Sequence, residues 1–191
     1  MDSTHLIQLG ISFCEVTENG NEFSWQFTFK EFNEEDHSHS TTFVAFLKEP
    51  GEGIESYKFV NKLMESSLLS NPKIKWVTSH GYSDFVYLIK MLFIRRVLPL
   101  GVNEFQDMMN SIFCGGVIDL RCMENNLSDF PSKKLKEVAN SMEAQLDKII
   151  LHRASHDSLL TLKLFKKLKE TCYYNSNSMN EIEGFIFDLD D

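Results

Sequence analysis

Two short stretches of the sequence place carboxylates where chemistry could use them. In His152-Arg153-Ala154-Ser155-His156-Asp157-Ser158-Leu159-Leu160-Thr161 a histidine precedes an aspartate by five positions at the mouth of an amphipathic helix. From the first turn of that helix Asp157 could bind a divalent metal, a hard cation that takes oxygen ligands. His152, on the loop before it, could reach an attacking water as general base. Spacing alone fits chance or simple helix capping as well. In Trp76-Val77-Thr78-Ser79-His80-Gly81-Tyr82-Ser83-Asp84-Phe85-Val86-Tyr87-Leu88, Asp84 follows a strand and opens a helix. That is a place for a metal-binding carboxylate and equally for an N-cap, where Asp is favoured.

These residues need elements to hold them. Leu6 to Phe13 reads as a strand, and the Asn-Gly step in Glu18-Asn19-Gly20-Asn21 is a strong hairpin signal. Phe23, Trp25, Phe27 and Phe29 then alternate with Ser24, Gln26 and Thr28, which predicts a second, antiparallel strand with one aromatic, buried face. A short helix is expected over 42–48, and further helices over 54–69, 84–98, 104–113, 132–142 and within 152–174. Lys75 to Ser79 and Val117 to Leu120 read as short strands, and Glu183 to Leu189 as a final edge strand. A hairpin followed by strand–helix alternation gives an α/β fold, a mixed sheet flanked by helices.

The chain has 191 residues, enough for one domain spanning 1–191 with a substantial core. Its net charge of −9 argues against a broad electrostatic grip on RNA, yet is compatible with a nuclease whose carboxylates hold cations against a phosphate. Cys14, Cys114, Cys122 and Cys172 show no C-x-x-C spacing, so free thiols rather than disulfides or a zinc site are expected. No apolar run reaches the ~20 residues that span a bilayer, and Met1 to Gly10 has no signal-peptide pattern. A nuclear or cytoplasmic location, without a membrane, is the expectation.

The words around Asp84 and Asp157 resemble the ribonuclease D-like deadenylase family, the catalytic subunits of the CCR–NOT complex. Trp76, His80, Asp84, Phe85, Tyr87 and Leu88 fall at family positions without gaps, as do His152, Ala154 and Asp157 to Thr161. Leu6 to Phe13, Trp25 to Asn33, Gly53 to Leu69 and Val117 to Met123 look like family counterparts in the right order, so the resemblance covers nearly the whole chain. The order of Gly81, Tyr82 and Ser83 departs from the family pattern, as does Ser128 to Lys134.

The resemblance implies a ribonuclease H-like, RNase D-like fold and a poly(A)-specific 3′-5′ exoribonuclease that releases AMP with two divalent ions, Mg or Mn. It implies Asp84 and Asp157 as metal ligands and His152 as general base, with His156 an ordinary polar residue. The implied partners are the 3′ end of poly(A) RNA, the complex's scaffold subunit and its second deadenylase subunit. One motif has no match. The family's Asp-x-Glu lies on an opening strand, and Asp2 is not followed by Glu two residues on. The expectation is therefore an N-terminally short member lacking the opening central strand, which would sit between the Leu6 and Trp76 strands. Activity would then be very low, and a catalytically inactive interaction subunit is the alternative. Phe185 to Asp190 carries an Asp-x-Asp that could fill the gap, or it is simply an edge strand with a solvated acidic end.

Overall fold

The computed structural model describes residues 5–15, 20–32, 53–93, 98–99, 101–125 and 153–171. The helices expected over 42–48 and 132–142 and the strand at 183–189 lie outside the described residues, as does His152.

The hairpin forms as its sequence requires. Strands β1 (Gln8–Cys14) and β2 (Glu22–Thr28) pair antiparallel, in register from Gln8 opposite Thr28 to Cys14 opposite Glu22. Near the turn the Glu15 amide donates to the Asn21 carbonyl at 3.4 Å. Opposed residues share a face, so Leu9, Ile11 and Phe13 lie with Phe27, Trp25 and Phe23. Gly10 and Ser12 lie on the other face with Gln26 and Ser24.

The aromatic face is not buried along its length. Phe29 is buried and Phe27 half-buried, because helix α1 (Ser56–Glu65) reaches this end through Phe59, whose ring centroid lies 4.8 Å from that of Phe27 and 5.5 Å from that of Phe29. Toward the turn, Phe23 and Trp25 are each 48% exposed, stacked on each other at 6.0 Å, with Phe13 edge-on to Trp25. On α1, Phe59 and Leu63 face the core, whereas Met64 is exposed.

Strand β3 (Trp76–Thr78) runs parallel to β4 (Val117–Asp119), with Trp76 opposite Val117 and Thr78 opposite Asp119. A parallel pair needs a crossover, supplied here by α2 (Tyr82–Leu92) and α3 (Val102–Ile112). β4 is wholly buried, which suits its unbroken apolar Val117-Ile118 run. It passes directly into α4 (Leu120–Asn125), and α5 (Ala154–Thr171) is the last described element.

Ile89, Phe105, Met109, Phe113 and Val117 form the closely packed centre of the core. On α5, Leu160, Leu164 and Leu168 recur every four residues and are all buried, the stripe an amphipathic helix presents to its partners. That helix packs against β1, β2 and β3. The expected single mixed sheet is, among the described residues, two separate two-stranded sheets, β1–β2 and β3–β4, with α5 touching both. The α/β class is as expected.

Candidate functional site

α2 starts earlier than the sequence suggests. Gly81 is its N-cap, and Asp84 is the third helical residue rather than the opener. A carboxylate in the first turn suits the positive end of the helix dipole. The loop from β3 into α2 is tightly determined: His80 adopts a left-handed φ of 57°, and Gly81 lies against the side chain of Thr78.

What fixes that loop is Asp119, at the end of β4 and fully buried. Its Oδ1 accepts hydrogen bonds from the His80 and Arg121 amides, and its Oδ2 from the Gly81 amide, all at 3.0 Å. From sequence, Asp119 reads only as a strand residue. The available signal is a lone carboxylate closing the apolar run Val117-Ile118 and preceding Leu120, since a buried Asp must find partners.

Asp84 is exposed as a residue, yet neighbouring protein atoms crowd its carboxyl. Burial first, and then the negative charge of Asp119, push its pKa up to about 6 from 3.8. The folded state therefore holds this proton more tightly than the unfolded chain. The contribution favours folding below pH 4 and is lost as pH rises through about 6. In metal-free buffer Asp84→Asn should gain on the parent between pH 4.5 and 7.5, by roughly 1 kcal/mol once solvent screening of a partly open group is allowed for. Urea unfolding of both proteins at the two pH values measures this, and a difference that stays flat would refute it.

Asp157 lies in the first turn of α5 and is exposed. Its amide donates to the Arg153 carbonyl at 3.1 Å, and its carbonyl accepts from Thr161 Oγ1 at 2.9 Å. The polar face of the hairpin seats this turn. Ser12 Oγ and Ser158 Oγ share a 2.8 Å hydrogen bond, and Ser24 Oγ donates to the Ser155 carbonyl at 2.9 Å. The Ser155 amide donates to Gln26 Oε1 at 3.4 Å, and Lys166 pairs with Glu22 at 2.7 Å further along α5. The adjacent His156 is half-buried, and its amide donates to the Arg153 carbonyl.

The comparison with known proteins decides what this arrangement belongs to. The chain matches the family described as CAF1 family ribonuclease over residues 52–172, more than half its length. The chain belongs to the CAF1 family of ribonucleases. Among CAF1 relatives, the Arabidopsis thaliana protein named probable CCR4-associated factor 1 homolog 7 is 31% identical over 209 residues, covering 96% of this chain and 70% of that protein. Poly(A) ribonuclease pop2 of Schizosaccharomyces pombe is 28% identical over 200 residues, covering 96% of this chain and 57% of that one. In fold, the chain is similar to S. pombe Pop2p in its Mg2+ and Mn2+ bound form, with a TM-score of 0.82 at 24% identity over 97% of this chain and 75% of that one. It is also similar to yeast CAF1 co-crystallised with the NOT1 MIF4G domain, with a TM-score of 0.65 at 17% identity over 94% of this chain and 86% of that one.

For a CAF1 chain the question is whether the donors fit divalent ions. In kind they do, since carboxylate oxygens suit Mg and Mn. In number they fall short: among the described residues no three His, Cys, Asp or Glu side chains gather into a metal-holding group. Asp119 stands beside Asp84, but both its oxygens are engaged by backbone amides. A two-ion clamp needs more carboxylates than Asp84 and Asp157 supply.

Proposed function

We propose that the chain acts in messenger RNA turnover as a deadenylase-type subunit of a CCR4–NOT assembly in the nucleus and cytoplasm. The observation that carries this reading is the family match over residues 52–172, a stretch that includes Asp84 in the first turn of the helix after β3, its carboxyl raised above its ordinary range by burial and by Asp119. Such a group favours either a proton or a cation. On this reading Asp84 and Asp157 are ligands for Mg or Mn, and His152 is the general base toward a 3′-terminal AMP. The ions would supply charge neutralisation at the attacking and leaving oxygens. The scaffold and a second nuclease subunit are the proposed protein partners. Support for the scaffold comes from the yeast homologue, in which CAF1 was co-crystallised with the NOT1 MIF4G domain.

The second reading is a docking subunit without activity, favoured by the absence of a three-donor group among the described residues. Incubating the chain with poly(A) RNA and Mg2+ or Mn2+ separates the two. Release of AMP that disappears in Asp84→Ala and Asp157→Ala supports the first. Intact poly(A), with retained binding to a NOT1-type MIF4G domain, supports the second. Failure of both assays removes the assignment to the assembly.

A further inference from the structure

β2 is open to solvent in a way that β1 is not. Its residues from Glu22 to Gln26 are all exposed, on both faces of the sheet, whereas every residue of β1 is half-buried. The register shows which backbone groups lie on its free side. The Phe29 amide donates to the Ile7 carbonyl and the Glu15 amide to the Asn21 carbonyl. Odd-numbered residues therefore bond across the hairpin, and the even-numbered residues of β2 point their amides and carbonyls outward. At one end that outer edge is used: the Ile54 amide donates to the Thr28 carbonyl at 2.8 Å, and the Lys30 amide to the Ile54 carbonyl at 3.1 Å. Further along, the outward groups of Glu22, Ser24 and Gln26 meet no backbone partner among the described residues. Proteins usually blunt such an edge with Lys, Pro or a bulge. Glu22-Phe23-Ser24-Trp25-Gln26 contains neither Lys nor Pro, and its pairing with β1 runs without a bulge. Beside the open edge stand the exposed, stacked rings of Phe23 and Trp25.

We propose that β2 pairs antiparallel with β2 of a second copy of this chain, about a twofold axis at Ser24, joining the two hairpins into one four-stranded sheet. The residues select that register. It sets Ser24 opposite Ser24 and Glu22 opposite Gln26 of the second copy, so every open residue is used. Centring on Glu22 instead would oppose two carboxylates, which is unfavourable. Centring on Trp25 or Gln26 calls on Thr28, whose carbonyl Ile54 already holds. Centring on Phe23 sets Gln26 opposite Gly20, outside the strand. In the Ser24 register Phe23 of each copy faces Trp25 of the other. These are the non-hydrogen-bonded positions of the ladder, where side chains approach nearest and aromatic pairs stabilise. Four rings open in the single chain then cover one another. On the opposite face α5 packs more on β1 than on β2. The two β1 strands would stand about 14 Å apart, three strand spacings, and neighbouring helices need only about 8–10 Å, so both copies of α5 fit. Glu22, the one charged residue from Glu22 to Gln26, is already paired with Lys166. Pairing over so short a stretch buries less than the ~1,200 Å² of stable complexes, so the association is weak and reversible.

Sedimentation of the full chain over about 5–500 µM, the range in which small interfaces associate, measures the pairing. The average mass is expected to climb from one chain toward two and stop there. Trp25→Lys places a charge among the four rings and should leave a monomer throughout. Tyr57→Lys, the same charge change at an exposed aromatic residue of α1, should pair like the parent. Gln26→Glu tests the register. It keeps an acceptor oxygen for the Ser155 amide and opposes a carboxylate to Glu22 of the second copy, twice per dimer, for about two- to thirtyfold weaker pairing. A parent that stays monomeric overturns the proposal, as does growth beyond two chains, because a twofold pairing of this edge closes on itself. Trp25→Lys pairing like the parent would place the contact elsewhere. Tyr57→Lys weakening as much as Trp25→Lys would make it a general effect of charge, and either result removes β2 as the joint. An unchanged Gln26→Glu refutes the Ser24 register. Should Trp25→Lys fail to fold, amide exchange in the parent at both ends of the range decides. Protection gained by the Glu22, Ser24 and Gln26 amides at high concentration supports the pairing, and no gain overturns it.

Discussion

Gly10→Ala is expected to lift the start of α5 off the hairpin. A Cβ at position 10 would stand 1.8 Å from the Ala154 carbonyl oxygen, 2.1 Å from its carbon and 2.7 Å from the Ser155 nitrogen. All three are backbone atoms, so no side-chain rotation relieves the collision. Gly10 is fixed by its pairing with Gln26 in the middle of β1, and Ala154 begins α5. The helix has to move, and with it go the Ser12–Ser158, Ser24–Ser155 and Gln26–Ser155 hydrogen bonds that seat its first turn. Overpacking of this kind costs about 3 kcal/mol at its upper end, which for a chain of this size lowers the melting temperature by roughly 10 °C. Asp157 lies on the same turn, so the substitution should also reduce any function that depends on that carboxylate. Ser12→Ala, which removes one hydrogen bond and adds no atoms, is the control and should cost only about 1 kcal/mol. Thermal unfolding of both variants checks the ordering. A melting temperature for Gly10→Ala equal to that of the parent would mean that hairpin and helix are not in such close contact.

How far the sequence foretells this arrangement depends on the signal involved. The hairpin is legible because period-two alternation and an Asn-Gly turn are local properties. The helix carrying Asp157 is legible in the same way, and Leu160, Leu164 and Leu168 sit where its apolar stripe puts them. The expected burial of Phe23 and Trp25 is wrong, since alternation states that a face is apolar and not how much of it a neighbour covers. Phe59 reaches Phe27 and Phe29, and the two rings nearer the turn remain open. Asp119 escapes a sequence reading for a related reason. The three amides that donate to it come from residues 38 or 39 positions back and two positions on, and no pattern within β4 announces the distant pair. Asp84 stands out by its local wording, yet its raised pKa comes from burial and from Asp119, both tertiary facts.

The second large effect is expected at Phe113, which joins the two elements that set the position of Asp84. Its ring is almost wholly buried and meets Trp76 of β3 edge-on at 5.2 Å and Phe85 of α2 at 5.0 Å. Phe85 is the residue after Asp84, so the same ring that anchors β3 also anchors the first turns of α2. Edge-to-face pairs add to the burial energy of each ring. Phe113→Ala removes both contacts and leaves a cavity between strand and helix, for a loss of about 3–5 kcal/mol. Phe113→Leu keeps most of the volume and should lose less than about 1.5 kcal/mol. Urea unfolding of the two variants measures the split, and amide exchange along α2 locates it. If the cavity acts as described, protection in Phe113→Ala falls first near Phe85 and Leu88, on the side of the helix that faces the core. Equal losses in the two variants would mean that ring shape, not filled volume, holds β3 to α2. A loss under about 1 kcal/mol in Phe113→Ala would mean that the surrounding core collapses into the space and that Phe113 does not fix the position of α2 at all.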